Sequence, residues 1–290
     1  MARLHNSTQG ANISQTRLRQ IALLAKDLSA AEDILKRVLG TEVIFRDDQV
    51  AKWGLYNFLM PLGGDLIEVV SPFRDGTTAG RLLKKRGDGG YMIIMQTSDA
   101  AARKDFIESR GLSKVIFSFS KDDVDCVQYH PKGIPGSVIP ELDSHKPSPE
   151  NREPVLSTFS PWHACGLDYQ RYSAAMARSS YLQIIQVTCR LAAGENDPES
   201  AAQKWEHIFG VQSKGSELVF TNMRMSFVKG VDGLPEGLES ITVGVYGESN
   251  LNRILERAQE EGIYENGAVA MLGIQWYFSP LSNDVAKSKI

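Results

Sequence analysis

The sequence predicts an α+β protein built from four βαβββ modules in tandem, and three observations carry that prediction. An apolar segment closed by an aspartate occurs twice, as Gln20-Ile-Ala-Leu-Leu-Ala-Lys-Asp27 and as Met92-Ile-Ile-Met-Gln-Thr-Ser-Asp99. Each copy is followed by an amphipathic stretch, a glycine and three strand-like runs, and self-similarity of this kind marks a repeated supersecondary unit. Weaker copies begin at Leu182 and Ser240, beyond an interval rich in proline, serine and charge.

In the first module the strand ends at Asp27, a residue type that caps a helix start by accepting from its free N–H groups. Ile34, Leu35, Val38 and Leu39 then fall on one helical face, and Gly40 supplies the stop. Three strands are expected at 42–46, 53–60 and 66–70, the last two joined by the turn Pro61-Leu-Gly-Gly64. Gly76-Thr-Thr-Ala-Gly80 with Arg81 reads as a capped connector to the second module.

That module repeats the plan with Asp99, an apolar face of Ala102, Phe106 and Ile107, and Gly111. Its strands are expected at 114–119, 125–129 and 137–142, with the turn His130-Pro-Lys-Gly-Ile-Pro-Gly136 before the last. The third module places a strand at 182–190, a helix carrying Ala202, Trp205, Ile208 and Phe209 up to Gly210, and strands at 217–220 and 223–228. The fourth has a strand at 240–246, a helix with Leu251, Ile254, Leu255 and Ala258 up to Gly262, and a strand pattern over 273–278. Paired, the modules divide the chain into a flexible N-terminus (1–16), a first domain (17–145), a linker (146–180) and a second domain (181–290). Trp162, Tyr169 and Tyr172 imply that the later linker docks, because three exposed aromatics would be costly.

Composition excludes several classes. Of 290 residues 42% are hydrophobic and 23% charged, which suits a folded protein with a buried core. A net charge of −3, with lysine and arginine scattered, offers no concentrated basic face for a phosphate backbone, so nucleic acid is not an expected partner. No apolar run approaches the roughly 18 residues of a membrane span, and the first 16 residues lack the apolar centre of a signal peptide. Cys126, Cys165 and Cys189 are too few for a disulfide framework and form no C-x-x-C pair, which points to a reducing, cytoplasmic setting.

The segments Arg19 to Asp27, Asp65-Leu-Ile-Glu-Val-Val-Ser-Pro72 and His130-Pro-Lys-Gly-Ile-Pro-Gly-Ser-Val-Ile-Pro-Glu-Leu142 resemble the vicinal oxygen chelate (glyoxalase-like) superfamily, the last one its epimerases. The resemblance covers 17–145 clearly and 181–280 faintly. It implies two domains of cupped mixed sheet, with the candidate site in the first cup, and a divalent metal on four inward strand positions. Carried over position by position, those are Gln20, Glu68, Met92 and Glu141. Three are oxygen ligands for Mg, Mn or Fe(II), with His130 or His163 as loop substitutes. Met92 stands where the family places a histidine, and a thioether suits such ions poorly, so a metal-free cup stays open.

Glu68 has independent support. By alternation it shares a face with Leu66 and Val70, and a carboxylate on an apolar face requires a partner, a metal or a raised pKa. The resemblance implies Glu68, Glu141, His130 and Tyr91 as catalytic groups, and Trp53, Tyr56, Phe58 and Met92 as substrate contacts. The implied activity is that of a lyase or isomerase acting on a small carbonyl or carboxylate compound in the first cup. A metal-free protein that sequesters a small molecule and a ring-cleaving dioxygenase are the alternatives. In the second cup the inward positions are expected at Gln186, Phe227 and Ser240, a set that makes no metal site, so that half reads as a degenerate copy. Pairing into a homodimer stays open.

Overall fold

The computed structural model describes residues 15–282. The N-terminus expected to be flexible thus lies outside the described residues, except that Thr16 already belongs to the first strand. The first sheet is assembled from β1 (Thr16–Leu24), β2 (Leu55–Leu62), β3 (Asp65–Pro72), β4 (Gly89–Thr97), β5 (Val115–Lys121), β6 (Val124–Tyr129) and β7 (Ile139–His145). Its order is β2-β3-β1-β4-β7-β6-β5. The two modules meet through antiparallel β1 and β4, while β3 and β7 run parallel to β1 and β4 respectively. Helix α1 (Leu28–Leu39) starts at Asp27, whose side chain accepts from Ala30 N, and stops at left-handed Gly40. Helix α2 (Thr78–Arg86) is the connector, capped by Thr77, and α3 (Ala100–Ser109) starts at Asp99.

One expected strand does not form. Over 42–46 only an isolated bridge joins Phe45 to Leu59, and the strand expected from Trp53 begins two residues later. The cause is local: Asp47 caps a 3₁₀ turn over Asp48–Trp53 by accepting from Gln49 N, and Gly54 ends it at φ 76°. A side chain that satisfies its own backbone competes with strand pairing.

Beyond α4 (Tyr169–Arg178) the second sheet comprises β8 (Leu182–Arg190), then, after α5 (Pro198–Phe209), β9 (Ser213–Lys214), β10 (Glu217–Val219), β11 (Arg224–Val228) and β12 (Gly237–Tyr246). After α6 (Glu248–Glu260) it is completed by β13 (Tyr264–Glu265), β14 (Ala268–Met271) and β15 (Ile274–Leu281). Its order, β13-β14-β15-β12-β8-β11-β10-β9, again centres on an antiparallel pair, β8 and β12.

Alternation along the strands decides which side each residue serves. Leu18, Ile21, Leu23, Phe58 and Ile93 join Ile184, Val187, Ile241, Val243 and Trp205 in one continuous core between the two sheets. The sheets approach so closely there that a Cβ on Gly90 would lie 2.3 Å from Leu238 Cβ. The opposite face of the first sheet carries Ala22, Leu24, Leu59, Leu66, Val70, Met92 and Ile94, partly covered by Trp162 and Tyr172. These two linker aromatics dock as expected; Tyr169 stays exposed. Two arginines pin the crossing segment: Arg17 donates to the carbonyls of Ser157 and Thr158, and Arg19 to those of Thr158 and Ser160. No helix among the described residues is long and apolar enough to cross a membrane.

Candidate functional site

The concave face of the first sheet encloses a cavity of about 750 Å³. Its two walls come from opposite edges of the sheet. Trp53, just before edge strand β2, meets Phe117 of the other edge strand, β5, edge-on at 5.4 Å. That contact closes the sheet into a cup. Lys52 lies 4.2 Å above the Trp53 ring, and Phe119 continues the aromatic rim to His163 at 5.6 Å.

The floor is polar because two bulges re-aim residues of the central strands. The β1–β4 register slips at Arg19 and again at Tyr91, which have no residue opposite. An extra residue turns two consecutive side chains to one side, so Tyr91 and Met92 both line the cavity. Gln20 follows Arg19 and also lines it, beside Glu68 on the parallel neighbour β3.

Glu68 is buried and sits in a chain of hydrogen bonds with only one sense. Gln20 Nε2 donates to Glu68 Oε2 at 2.9 Å, and Asn57 Nδ2 donates to Oε1 at 2.7 Å. Neither amide can turn round. Trp162 Nε1, a donor only, gives its proton to Gln20 Oε1 at 2.8 Å, and the Asp47 N–H gives its own to Asn57 Oδ1 at 2.8 Å. Glu68 therefore accepts at both oxygens, the arrangement a carboxylate takes. Burial raises its pKa above the usual carboxylate range, and the Asn57 and Gln20 bonds oppose that rise.

Glu141 also lines the cavity and is buried in mid-sheet, between Ile94 on β4 and Gln128 on β6. Burial holds its pKa well above 4.5, and the negative charge of Asp143 adds to the rise. Tyr91 is pushed up to about 12 by burial and then by the Glu68 charge, which keeps its hydroxyl a proton donor. Gln20, Glu68, Glu141, Tyr91, Met92 and Trp53 are thus brought to one cavity.

Three expected residues are placed elsewhere. Phe58 packs in the core between the sheets because it alternates with Asn57 and Leu59, which do face the cup. Tyr56 shares the Phe58 parity and stacks on Phe73 at the exposed edge, 4.4 Å between centroids. His130 is exposed in its turn, where Nδ1 accepts from Lys132 N at 3.0 Å, and it does not line the cup.

The oxygen trio does not fit a metal. The Gln20 oxygen is turned to the Trp162 indole and its N–H face to Glu68, so at this position a cation would meet a donor. Met92 adds no nitrogen or oxygen. In the second sheet Phe227 lies in the shared core rather than beside Gln186. Ser226 takes that place, accepting from Gln186 and donating to Glu217.

The residues that sequence reasoning missed are Asn57, Gln128, Cys126, Asp143 and the indole of Trp162. Alternation with Glu141 could have indicated Asp143, two positions along β7. Nothing in the local sequence indicates that Trp162, 142 residues from Gln20, would orient its amide.

A cupped sheet made of two modules of the βαβββ type joined through antiparallel first strands is the vicinal oxygen chelate (glyoxalase-like) fold, and this chain has it. A hypothetical protein from Staphylococcus aureus matches 92% of this chain and 100% of its own at 11% identity, with a TM-score of 0.57. A variant of Streptomyces coelicolor methylmalonyl-CoA epimerase, in complex with 2-nitronate-propionyl-CoA, is 22% identical over 46% of this chain and 99% of its own, with a TM-score of 0.41. The Mycobacterium tuberculosis epimerase is 21% identical over 45% and 89%, with a TM-score of 0.40. No family model and no curated protein matches the sequence.

Proposed function

We propose that the first cup is the active site of an isomerase or lyase that moves a proton next to the carbonyl or carboxylate group of a small molecule. The observation that carries this reading is Glu68, a buried carboxylate held as an acceptor by two amides that cannot turn. A base needs this: a fixed position, a pKa raised towards the working range and a free lone pair facing the substrate. Taking a proton from the carbon beside a carbonyl leaves negative charge on the carbonyl oxygen. Tyr91, which keeps its proton, and Glu141, biased towards its protonated form, supply donors to that oxygen from the same cavity. In a site shielded from water such donors stabilise the charge strongly. Return of the proton to the other face gives an isomer, and loss of a neighbouring leaving group gives a lyase product. Lys52 and Lys121 among the lining residues favour an anionic substrate.

Incubation in D₂O with 2-oxo acids, α-hydroxy ketones and acyl thioesters, followed by proton NMR, tests the reading. Deuterium enters at the carbon beside the carbonyl of at least one compound, and Glu68→Gln slows that exchange by a factor of about 10² or more. Exchange at an unchanged rate in Glu68→Gln refutes the role of Glu68. Tight binding of a compound with no exchange supports the second reading, a sequestering protein, which the aromatic rim of Trp53, Phe117 and Phe119 favours.

A further inference from the structure

The polar floor of the cup continues past Glu141 into a group that the proton-transfer reading leaves unused. On β7, Glu141 and Asp143 are two residues apart and point to the same face. Cys126 lies directly across from Asp143 on antiparallel β6, so the thiol shares the face of the two carboxylates. One ligand atom from each of Cys126, Glu141 and Asp143 lies within 4.8 Å of the other two. All three side chains are buried.

Two features distinguish this group from an ordinary acidic cluster. Asp143 Oδ1, on a residue with no solvent exposure, has no hydrogen-bond partner, although a buried carboxylate oxygen left alone is costly. Its other oxygen, Oδ2, is held by His163 Nε2 at 2.9 Å. No lysine or arginine among the described residues forms an ion pair with Glu141 or Asp143; the potentially cationic group paired with Asp143 is His163.

We propose that Cys126 Sγ, a Glu141 carboxylate oxygen and Asp143 Oδ1 bind one borderline transition-metal dication, zinc or iron(II), with His163 orienting Asp143 from behind. A dication relieves what burial otherwise leaves unbalanced, because it neutralises the carboxylates and takes the thiol as thiolate. The mixed sulfur and oxygen donors select zinc, iron(II) or cobalt(II) over magnesium or calcium. Ligating carboxylates are commonly held by a hydrogen bond to the oxygen turned away from the metal, the place His163 takes on Asp143. Three protein ligands leave a coordination position free, and Cys126 and Glu141 both line the cavity that holds Glu68, so the free position is open to the substrate. The site shares only Glu141 with the oxygen trio of Gln20, Glu68 and Glu141. It uses the cavity of the proposed enzyme and would take over the role of the Glu141 proton, but metal binding itself rests on none of that chemistry.

The test is titration of the full-length protein, stripped with chelator and confirmed folded by circular dichroism, with Co²⁺ and with Zn²⁺. One Co²⁺ per chain is expected to give a thiolate-to-cobalt charge-transfer band in the near ultraviolet, which one equivalent of Zn²⁺ removes. Cys126→Ser abolishes the band, whereas Cys165→Ser and Cys189→Ser retain it. Asp143→Asn weakens Zn²⁺ binding by a factor of about 10 to 100, a readout that stands if Cys126→Ser fails to fold. Absence of uptake by the folded wild-type chain overturns the site and leaves protons to hold the cluster, as does an unchanged affinity in both variants. Metal bound without deuterium exchange on any compound keeps this site and removes the proton-transfer reading. Exchange by metal-free protein with no uptake does the reverse.

Discussion

At the scale of single residues, the orientation of two amides determines what Glu68 can do. Trp162 and the Asp47 backbone each supply a proton that points the N–H groups of Gln20 and Asn57 at the carboxylate. Burial raises the Glu68 pKa and these two donors lower it, burial being the larger effect. A base must be ionised, so kcat/KM falls on the acid side along a limb displaced above 4.5. Asn57→Leu removes a group that favours the charged form, and the limb moves to still higher pH. A pH–rate profile of the two proteins, or an NMR titration of the Glu68 carboxyl carbon, measures the displacement; a limb that stays put would mean that Asn57 does not bear on the charge. A second residue-scale prediction concerns Arg17, whose Nε and Nη2 both donate to Asp65 Oδ1 with both side chains buried. Asp65→Ala strands the guanidinium and is expected to cost about 3–5 kcal/mol in urea unfolding. Because Arg17 also holds the Ser157 and Thr158 carbonyls, amide exchange over 154–163 should rise with it.

At the scale of elements, the helices and most strands were legible because each rests on a short-range rule. Asp27 and Asp99 cap helices as their position implies, Gly40 and Gly210 end them in the left-handed region, and β8 spans the 182–190 expected from its apolar run. What could not be read depends on partners far along the chain. The two bulges of the β1–β4 pair appear only when the strands are in register, and they put Tyr91 and Met92 on one side against simple alternation. Counting alternation from Asn57 rather than trusting aromatic character would have placed Tyr56 and Phe58 outside the cup. Glu68 was legible as a carboxylate on an apolar face, whereas the cluster of Cys126, Glu141 and Asp143 needs the β6–β7 pairing before its members meet. Pairing also explains Gly90, the β4 residue that lies against Leu238 of the second sheet. Gly90→Ala drives a methyl into the Leu238 side chain and is expected to cost about 1–3 kcal/mol, as overpacking does. Leu238→Gly, which removes the Cβ that the new methyl meets, should cost less in the Gly90→Ala background than alone, and a double-mutant cycle reads that coupling.

At the scale of the whole molecule, the halves expected as two glyoxalase-like domains pack their helix-bearing faces on one another. Helix α3 of the first half reaches helix α5 of the second, where Arg103 Nε donates to Ile208 O at 2.8 Å and Nη2 to His207 O at 2.8 Å. Those carbonyls are the unpaired end of α5, and a guanidinium placed there satisfies them and offsets the negative end of the helix dipole. Tyr181 does the same for α1, donating to Leu39 O at 2.8 Å. Each half therefore completes the helix ends of the other as well as its core. On that basis we expect calorimetry to show a single transition with equal calorimetric and van't Hoff enthalpies. Arg103→Ala should lower that one transition by the equivalent of about 1–2 kcal/mol without splitting it. Two resolved transitions, with only the later one moved by Arg103→Ala, would mean that each sheet holds its own core. The cup would then owe its shape to the first half alone. A single transition would make the second sheet, in which no carboxylate among the described residues is buried, the support against which the first holds its bulges and its floor.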